Sequence, residues 1–126
     1  MAEIYNPTLY DRIGGEKMVN LLVDVFYYKV LADDRVSRFF TEIDMLAQKR
    51  KQRAFLTFVF GGADAYTGQS LRRAHARLVE QGMDVAHFFI VLKHLQDSLT
   101  ELGVEESLVN EVVSIANSTR HDVMGE

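Results

Sequence analysis

Residues 16–31, EKMVNLLVDVFYYKVL, decide the fold class of this 126-residue chain. Apolar residues recur in this stretch at spacings of three and four, which is typical of a helix with one buried side. That stripe consists of Val19, Leu22, Val23, Phe26 and Val30. Tyr27 lies on the flank of the stripe, and Tyr28 points away from it. The stretch therefore predicts a long helix packed on an apolar core.

The rest of the chain reads as further helices separated by glycines, with one proline, Pro7, near the start. No segment of four or more residues alternates cleanly between apolar and polar side chains, as a half-buried strand does. The predicted helices run from Asp44 to about Phe60, from a cap at Ser70 to a stop at Gly82, from Asp84 to about Leu102, and onward from Gly103. We expect one all-α domain over residues 1–126, with residues 1–7 as an N-terminal arm.

The composition excludes several classes of protein. The chain has no cysteine, which excludes disulfides, iron–sulfur clusters and thiolate zinc sites. Its formal net charge of −4 argues against nonspecific binding to nucleic acid. The N-terminus lacks the pattern of a secretory signal, and the apolar runs are too short to cross a bilayer. We expect a cytoplasmic monomer with neither nucleic-acid nor membrane partners.

Polar side chains interrupt the inward stripe of the helix after Asp44. Residues at spacings of three and four share one helix face there, and that face consists of Gln48, Lys51, Gln52, Phe55 and Val59. Unpaired polar groups cost a few kcal/mol each when they are buried. Two explanations stay open at this point: this half of the helix protrudes into solvent, or it faces something polar that is bound inside.

A histidine interrupts a second apolar face. His75 shares its helix face with Leu71 and Leu78. The imidazole is either a hydrogen-bonded core residue or a ligand offered to a metal or cofactor. His87 and His94 are seven residues apart, about two helical turns, so the two cannot chelate one metal by themselves. We expect structural roles for both.

Several short segments follow one another in a specific order along the chain. They are TLYDRIGG (8–15), Phe26-Tyr27, Phe39-Phe40, AFLTFVFGG (54–62), Arg73-Ala74-His75, Leu78-Val79-Glu80 and His87-Phe88. Taken together, these segments resemble the truncated haemoglobins of group I, the group with cyanobacterial and algal members. Each segment is short, but their order and spacing together are specific, and the resemblance runs from Thr8 to about Met124.

This resemblance implies a two-over-two helical sandwich around haem b. It implies His75 as the proximal iron ligand and Tyr27, with the amides of Gln48 and Gln52, as hydrogen-bond donors to bound gas. Phe40 would wedge the haem, while the apolar contacts to the cofactor would come from Phe55, Leu71 and Val91.

The implied ligands are dioxygen, nitric oxide and carbon monoxide. The expected reaction is nitric oxide dioxygenation, which needs a reductase or another electron donor. Storage or sensing of oxygen is an alternative function. A helical interaction module with no cofactor is an alternative from a different class.

Two positions depart from the cyanobacterial pattern. Lys51 stands where those relatives have a histidine that closes onto the iron, although some algal relatives resemble this chain in having lysine. A neutral Lys51 amine would coordinate ferric iron, at a deprotonation cost of roughly 4–5 kcal/mol at pH 7; a charged one would pair with a propionate or water. Thr119 stands where some relatives have a histidine bonded covalently to haem, with His121 two residues further on. We therefore expect no covalent link.

Overall fold

A computed structural model describes residues 7–61 and 75–125, and every regular element within these ranges is helical, as the sequence predicts. The elements are α1 (Leu9–Ile13), α2 (Gly15–Leu31), a 3₁₀ turn (Ser37–Phe40), α3 (Met45–Val59), α4 (75–80), α5 (Val85–Glu101), α6 (Glu106–Ser118) and α7 (Arg120–Met124). None of the helices in the described ranges is long and apolar enough to span a membrane.

Helix α2 is the centre of the packing. It packs most extensively on α5 and α3, and α5 in turn packs on α6. All five residues of the predicted stripe are buried. Tyr27 is also buried, with 2% of its surface exposed, whereas Tyr28 next to it is 78% exposed. Each buried Leu, Val or Phe side chain contributes about 1.5–3 kcal/mol by leaving water, so this stripe fixes the position of α2.

The predicted caps fix where the helices begin. The Asp44 carboxylate accepts hydrogen bonds from the backbone N–H groups of Leu46 and Ala47, at 3.0 and 3.3 Å, at the start of α3. Asp84 accepts from the N–H of His87, and the His87 ring accepts from the N–H of Asp84, which forms a reciprocal capping box for α5.

The helix predicted from residue 71 is described only from residue 75, because the Ser70 cap and residues 71–74 lie outside the described residues. Its stop is where the sequence places it: Gly82 has φ +97° directly after α4.

The last predicted helix is divided in two. Helix α6 ends at Ser118, and α7 begins at Arg120. The hydroxyls of Ser118 and Thr119 donate hydrogen bonds to the carbonyls of Ile115 and Ala116. These side-chain bonds compete with the backbone ladder for the same carbonyls, which explains the break.

Gly14 joins α1 to α2 in a conformation that other residues rarely adopt. Its φ is +120°, it ends α1, and α2 begins at the next residue. A Cβ atom built there would lie 3.0 Å from the Cβ of Met18, closer than normal packing allows. The backbone N–H of Tyr10 also donates to the carbonyl of Phe60 at 2.7 Å, which ties α1 to the end of α3.

Gly14→Ala is therefore expected to destabilise the fold more than Gly82→Ala. Both positions have positive φ, which costs about 1–2 kcal/mol for alanine. Only Gly14 adds a clash, since nothing lies within 4 Å of a Cβ at Gly82, and overpacking adds about 1–3 kcal/mol. Urea unfolding followed by circular dichroism measures both free energies. Equal losses for the two variants would contradict the close contact with Met18.

Candidate functional site

A cavity opens between the helices; it encloses about 670 Å³ of space, part of which is open to solvent. Most of its lining is apolar, contributed by Phe26, Phe40, Phe55, Leu78, Met83, Phe88, Val91, Leu92, Leu95, Ala116 and Val123. Its polar lining consists of Tyr27, Gln48, Gln52, His75 and Thr119. An apolar cavity with a few converging polar side chains is the usual form of a cofactor or small-molecule site.

A buried hydrogen bond joins two of the predicted site residues. The Gln48 amide Nε2 donates to the Tyr27 hydroxyl at 3.0 Å. The Tyr27 ring packs edge-on against Phe26 and Phe40, with centroids 4.9 and 5.8 Å apart. Because the hydroxyl accepts from Gln48, its own proton is left for donation to a ligand in the cavity.

Burial keeps the Tyr27 hydroxyl protonated. Removal from water raises the pKa of Tyr27 to about 12, against a smaller lowering by the hydrogen bond from Gln48. The phenol is therefore neutral at any physiological pH. A neutral hydroxyl is a hydrogen-bond donor, and an ionised one is not.

The polar stripe of α3 divides between the cavity and solvent. Gln48 and Gln52 are half-buried and line the cavity, together with Phe55 one turn further on. Lys51 is exposed and is not among the lining residues. Each residue advances about 100° around a helix, so Lys51 lies on the flank of the face that Gln48, Gln52 and Phe55 share. Lys51 therefore fits the first explanation, exposure to solvent, while Gln48 and Gln52 face a cavity, which the second explanation requires.

His75 lines the same cavity at the start of α4, half-buried, and Leu78 lines it one turn further on. Phe40 reaches the cavity from the 3₁₀ turn and Val91 from α5. Leu71 lies outside the described residues. The cavity therefore brings together every predicted site residue that the structure describes, except Lys51.

The remaining histidines lie elsewhere, in the structural roles that the sequence predicts for His87 and His94. His94 Nε2 lies 2.7 Å from an oxygen of Asp33. Hydrogen bonds from Arg35, and then from His94, hold the pKa of that carboxyl well below its usual range. His87 caps α5 and packs edge-on against Phe39. His121 is exposed.

Some lining residues could be found from the sequence and others could not. Phe88, Leu92 and Leu95 follow the apolar period of α5, which marks them as inward. Thr119 and Val123 lie at and beyond the break between α6 and α7, and no periodicity identifies them, because the break depends on hydrogen bonds of side-chain hydroxyls.

The chain is similar to proteins of known family. A family model described as bacterial-like globin matches residues 8–125. A group 1 truncated hemoglobin from Synechocystis sp. is 45% identical over 122 residues, which cover 94% of this chain and 98% of that protein.

Two solved structures also superpose closely on this chain. The 2/2 hemoglobin from Synechococcus sp., in the cyanomet state with covalently attached heme, gives a TM-score of 0.89 at 44% identity and covers 95% of this chain and 100% of its own. The truncated hemoglobin from Tetrahymena pyriformis, in its Fe(III) form, gives 0.85 at 37% identity with the same coverage.

The Tyr27 hydroxyl is expected to ionise near pH 12. The tyrosinate absorbance difference between the unsubstituted protein and Tyr27→Phe isolates this group during an alkaline titration. Gln48→Leu should move the midpoint higher, because the hydrogen bond that lowers the pKa is removed. Tyr28→Phe, at the exposed neighbour, should leave the Tyr27 midpoint unchanged. A midpoint near 10, the usual value for tyrosine, would contradict the buried position of the ring.

Proposed function

The chain belongs to the group 1 truncated haemoglobins, a globin family with haem b as its cofactor, and from this premise we propose that it supports nitric oxide dioxygenation. The fold of these relatives is the two-over-two helical sandwich that the sequence resemblance implies. The cofactor-free interaction module is set aside, because the family is one of haem proteins that bind diatomic gases.

The cavity fits haem. Its walls are mainly apolar, as a porphyrin requires, and His75 provides the one imidazole among the described residues that line it. In the proposal His75 holds the iron, while Phe40, Phe55 and Val91 contact the porphyrin. When bound, haem supplies the binding of diatomic gases and the one-electron chemistry of its iron.

The hydrogen bond from Gln48 to Tyr27 is the observation that carries the proposal. It orients the Tyr27 hydroxyl, which stays protonated and can donate to a gas molecule that carries partial negative charge. Gln48 and Gln52 add amide groups to the same cavity. Donors fixed in a water-poor cavity stabilise such charge more than water does, because they need no reorientation.

Variants of a relative support the same three positions. The solved Tetrahymena pyriformis structures include one Tyr→Phe variant and two Gln→Glu variants. These substitutions are 21 and 4 residues apart along that chain, from the tyrosine to the first glutamine and from the first to the second. The same separations relate Tyr27, Gln48 and Gln52 here.

Nitric oxide dioxygenation combines nitric oxide, dioxygen and one electron to give nitrate. Slow release of dioxygen favours this reaction, and the hydrogen-bond donors serve that purpose. Storage or sensing of oxygen is the alternative function, and very fast release would favour delivery of oxygen. Because the reaction consumes one electron per turnover, it needs a reductase or another electron donor. Carbon monoxide is expected to bind the same site as dioxygen. A monomeric state and a cytoplasmic location complete the proposal.

The exposed position of Lys51 supports the alternative in which its amine stays charged and in solvent. Coordination of ferric iron would require the side chain to turn inward and lose its proton. Ferric absorption spectra of the protein and of Lys51→Ala are compared from pH 6 to 10. Identical spectra support the amine in solvent, and a difference between the spectra supports coordination of the iron by Lys51.

We also propose that the haem is held without a covalent bond to protein. Thr119 lines the cavity at the place where the resemblance puts a linking histidine, and His121 is exposed. The Synechococcus relative, in contrast, has covalently attached heme. Extraction with acid acetone should remove the pigment from this protein.

His75→Ala is expected to abolish stable haem uptake, because the substitution removes the proposed iron ligand. The absorbance of the haem band per protein after purification measures the loss. Free imidazole, which can occupy the space left by the side chain, should restore part of the band. His121→Ala is the control and should retain the full band. Unchanged haem content in His75→Ala would overturn the assignment of the ligand.

Tyr27→Phe is expected to speed the release of dioxygen by roughly 10- to 100-fold. This is the effect of losing one hydrogen bond to a charged partner, about 1.5–3 kcal/mol. Flash photolysis and stopped flow measure release, and nitrate formation under excess reductant measures the reaction, which should fall in parallel. Tyr28→Phe is the matched control, with the same chemical change on the exposed side of α2. Equal release from all three proteins would contradict the role of the hydroxyl.

A further inference from the structure

Helix α3 differs in charge from the rest of the chain. Residues 45–59 contain Lys49, Arg50, Lys51 and Arg53 and no acidic residue. The whole chain has a formal net charge of −4, so the residues outside this +4 helix carry a net −8. Helix α3, which also lines the cavity, therefore has a charge opposite in sign to the net charge of the remaining residues.

Most of this charge is presented to solvent. Leu46 is 77% exposed, Arg50 and Lys51 are exposed, and Arg53 is partly exposed. We call these four residues the basic face. Lys49 lies beside them and pairs with Asp24 of α2 at 3.2 Å, so part of its charge is neutralised.

Two acidic residues precede the basic face. Glu42 and Asp44 come just before α3, and both are exposed. The Asp44 carboxylate is bound to the N–H groups of Leu46 and Ala47 as the helix cap. Neither residue lies within α3, so the exposed side of the helix itself presents only positive charge.

The basic face lies close to the cavity because both belong to one helix. Gln48, Gln52 and Phe55 line the cavity from one side of α3, while Leu46 and Arg50 lie on the other side and Lys51 lies between. An α-helix with its side chains is about 10–12 Å across. A protein docked on the basic face would thus lie about one helix diameter from the cavity.

We propose that the basic face is the docking site for an acidic protein that carries one electron. This inference rests on the proposed function, because nitric oxide dioxygenation consumes one electron per turnover. In the transfer, the carrier loses one electron and the ferric iron gains it to become ferrous; no atom moves between the two proteins. The occupant is thus defined by its negative surface and its redox chemistry.

The form of the basic face suits a brief encounter between proteins. It combines one exposed leucine with surrounding cations, whereas stable interfaces have an extensive apolar core. Electron-transfer complexes are small, commonly below about 1,200 Å² in total, and opposite charges steer them together. A nucleic acid or an anionic membrane would extend beyond this helix and meet the net −8 of the remaining chain, which would repel it.

The test measures reduction of the ferric, haem-loaded protein by photoreduced flavodoxin, an acidic one-electron carrier. In the double variant Arg50→Glu/Arg53→Glu, the second-order rate constant should fall by roughly tenfold or more at 20 mM salt. The difference should nearly vanish at 0.5 M salt, where screening is effective within a few ångströms. Lys17→Glu/Lys93→Glu makes the same change in net charge on α2 and α5 and should stay within about twofold of the unsubstituted protein.

A second measurement does not depend on turnover. Oxidised flavodoxin, titrated into the isotope-labelled ferric protein, should shift the NMR signals of α3 amides, and the double variant should lose these shifts. Equal rates for the two double variants, or shifts located away from α3, would overturn the docking site. The docking site would also be overturned if the double variant lost binding to anionic lipid vesicles or duplex DNA while its rate of reduction by flavodoxin stayed unchanged.

Nitric oxide consumption with ascorbate as reductant separates the two proposals. Both proposals are supported if the double variant consumes nitric oxide with ascorbate at an unchanged rate but is reduced more slowly by flavodoxin. The docking site alone is overturned if nitric oxide is consumed normally with ascorbate and the double variant is reduced by flavodoxin as fast as the unsubstituted protein. No consumption with ascorbate overturns the proposed reaction, while the salt-dependent rates still decide whether the docking site stands.

Discussion

The burial of one side of α2 is the constraint on which the rest of the structure depends. The stripe from Val19 to Val30 is enclosed by α5 and α3, and the 3₁₀ turn packs on the same helix. These are the elements that supply most of the cavity wall, so the hydrophobic contacts that stabilise the fold also form the site. Phe26 and Tyr27 belong to both the core and the cavity lining.

The polar groups in the cavity are arranged so that burial does not leave them unpaired. Among the described residues, no buried side-chain nitrogen or oxygen lacks a hydrogen-bond partner. The amide of Gln48 and the hydroxyl of Tyr27 satisfy one another, at a position where each alone would cost about 1–3 kcal/mol. Their mutual bond fixes the direction of the phenol, and a polar group that is held in place needs no reorientation, whereas water does.

Much of the helical framework could be predicted from the sequence, because caps, glycine stops and apolar periods are local signals. Asp44, Asp84 and Gly82 act where their residue types suggest, and the stripe of α2 is buried as a whole. The division of the last helix at Thr119 could not be predicted, because it depends on hydroxyls that compete for backbone carbonyls.

For the site, periodicity identified the correct helix faces but not how deep each side chain lies. Gln48 and Gln52 turn into the cavity while Lys51, from the same predicted stripe, lies in solvent. Tyr27 is buried although it lies at the flank of its stripe, since Phe40, distant in sequence, packs against the ring. Contacts between segments that are distant in sequence determine how deeply each side chain is buried, and the spacing of residues within one helix does not reveal these contacts.

The paired tyrosines of α2 make the site depend on the helical register, that is, on which residue faces the core. Two chemically identical phenols stand side by side, one enclosed and one in water, separated only by about 100° of rotation around the helix axis. After deletion of a single residue between Gly15 and Tyr27, Tyr28 would stand where Tyr27 stood, counted from the start of the helix. The part of the apolar stripe before the deletion, however, would rotate away from the part after it. A mutation of this kind would preserve a phenol at this place in the helix and lose the core that holds it.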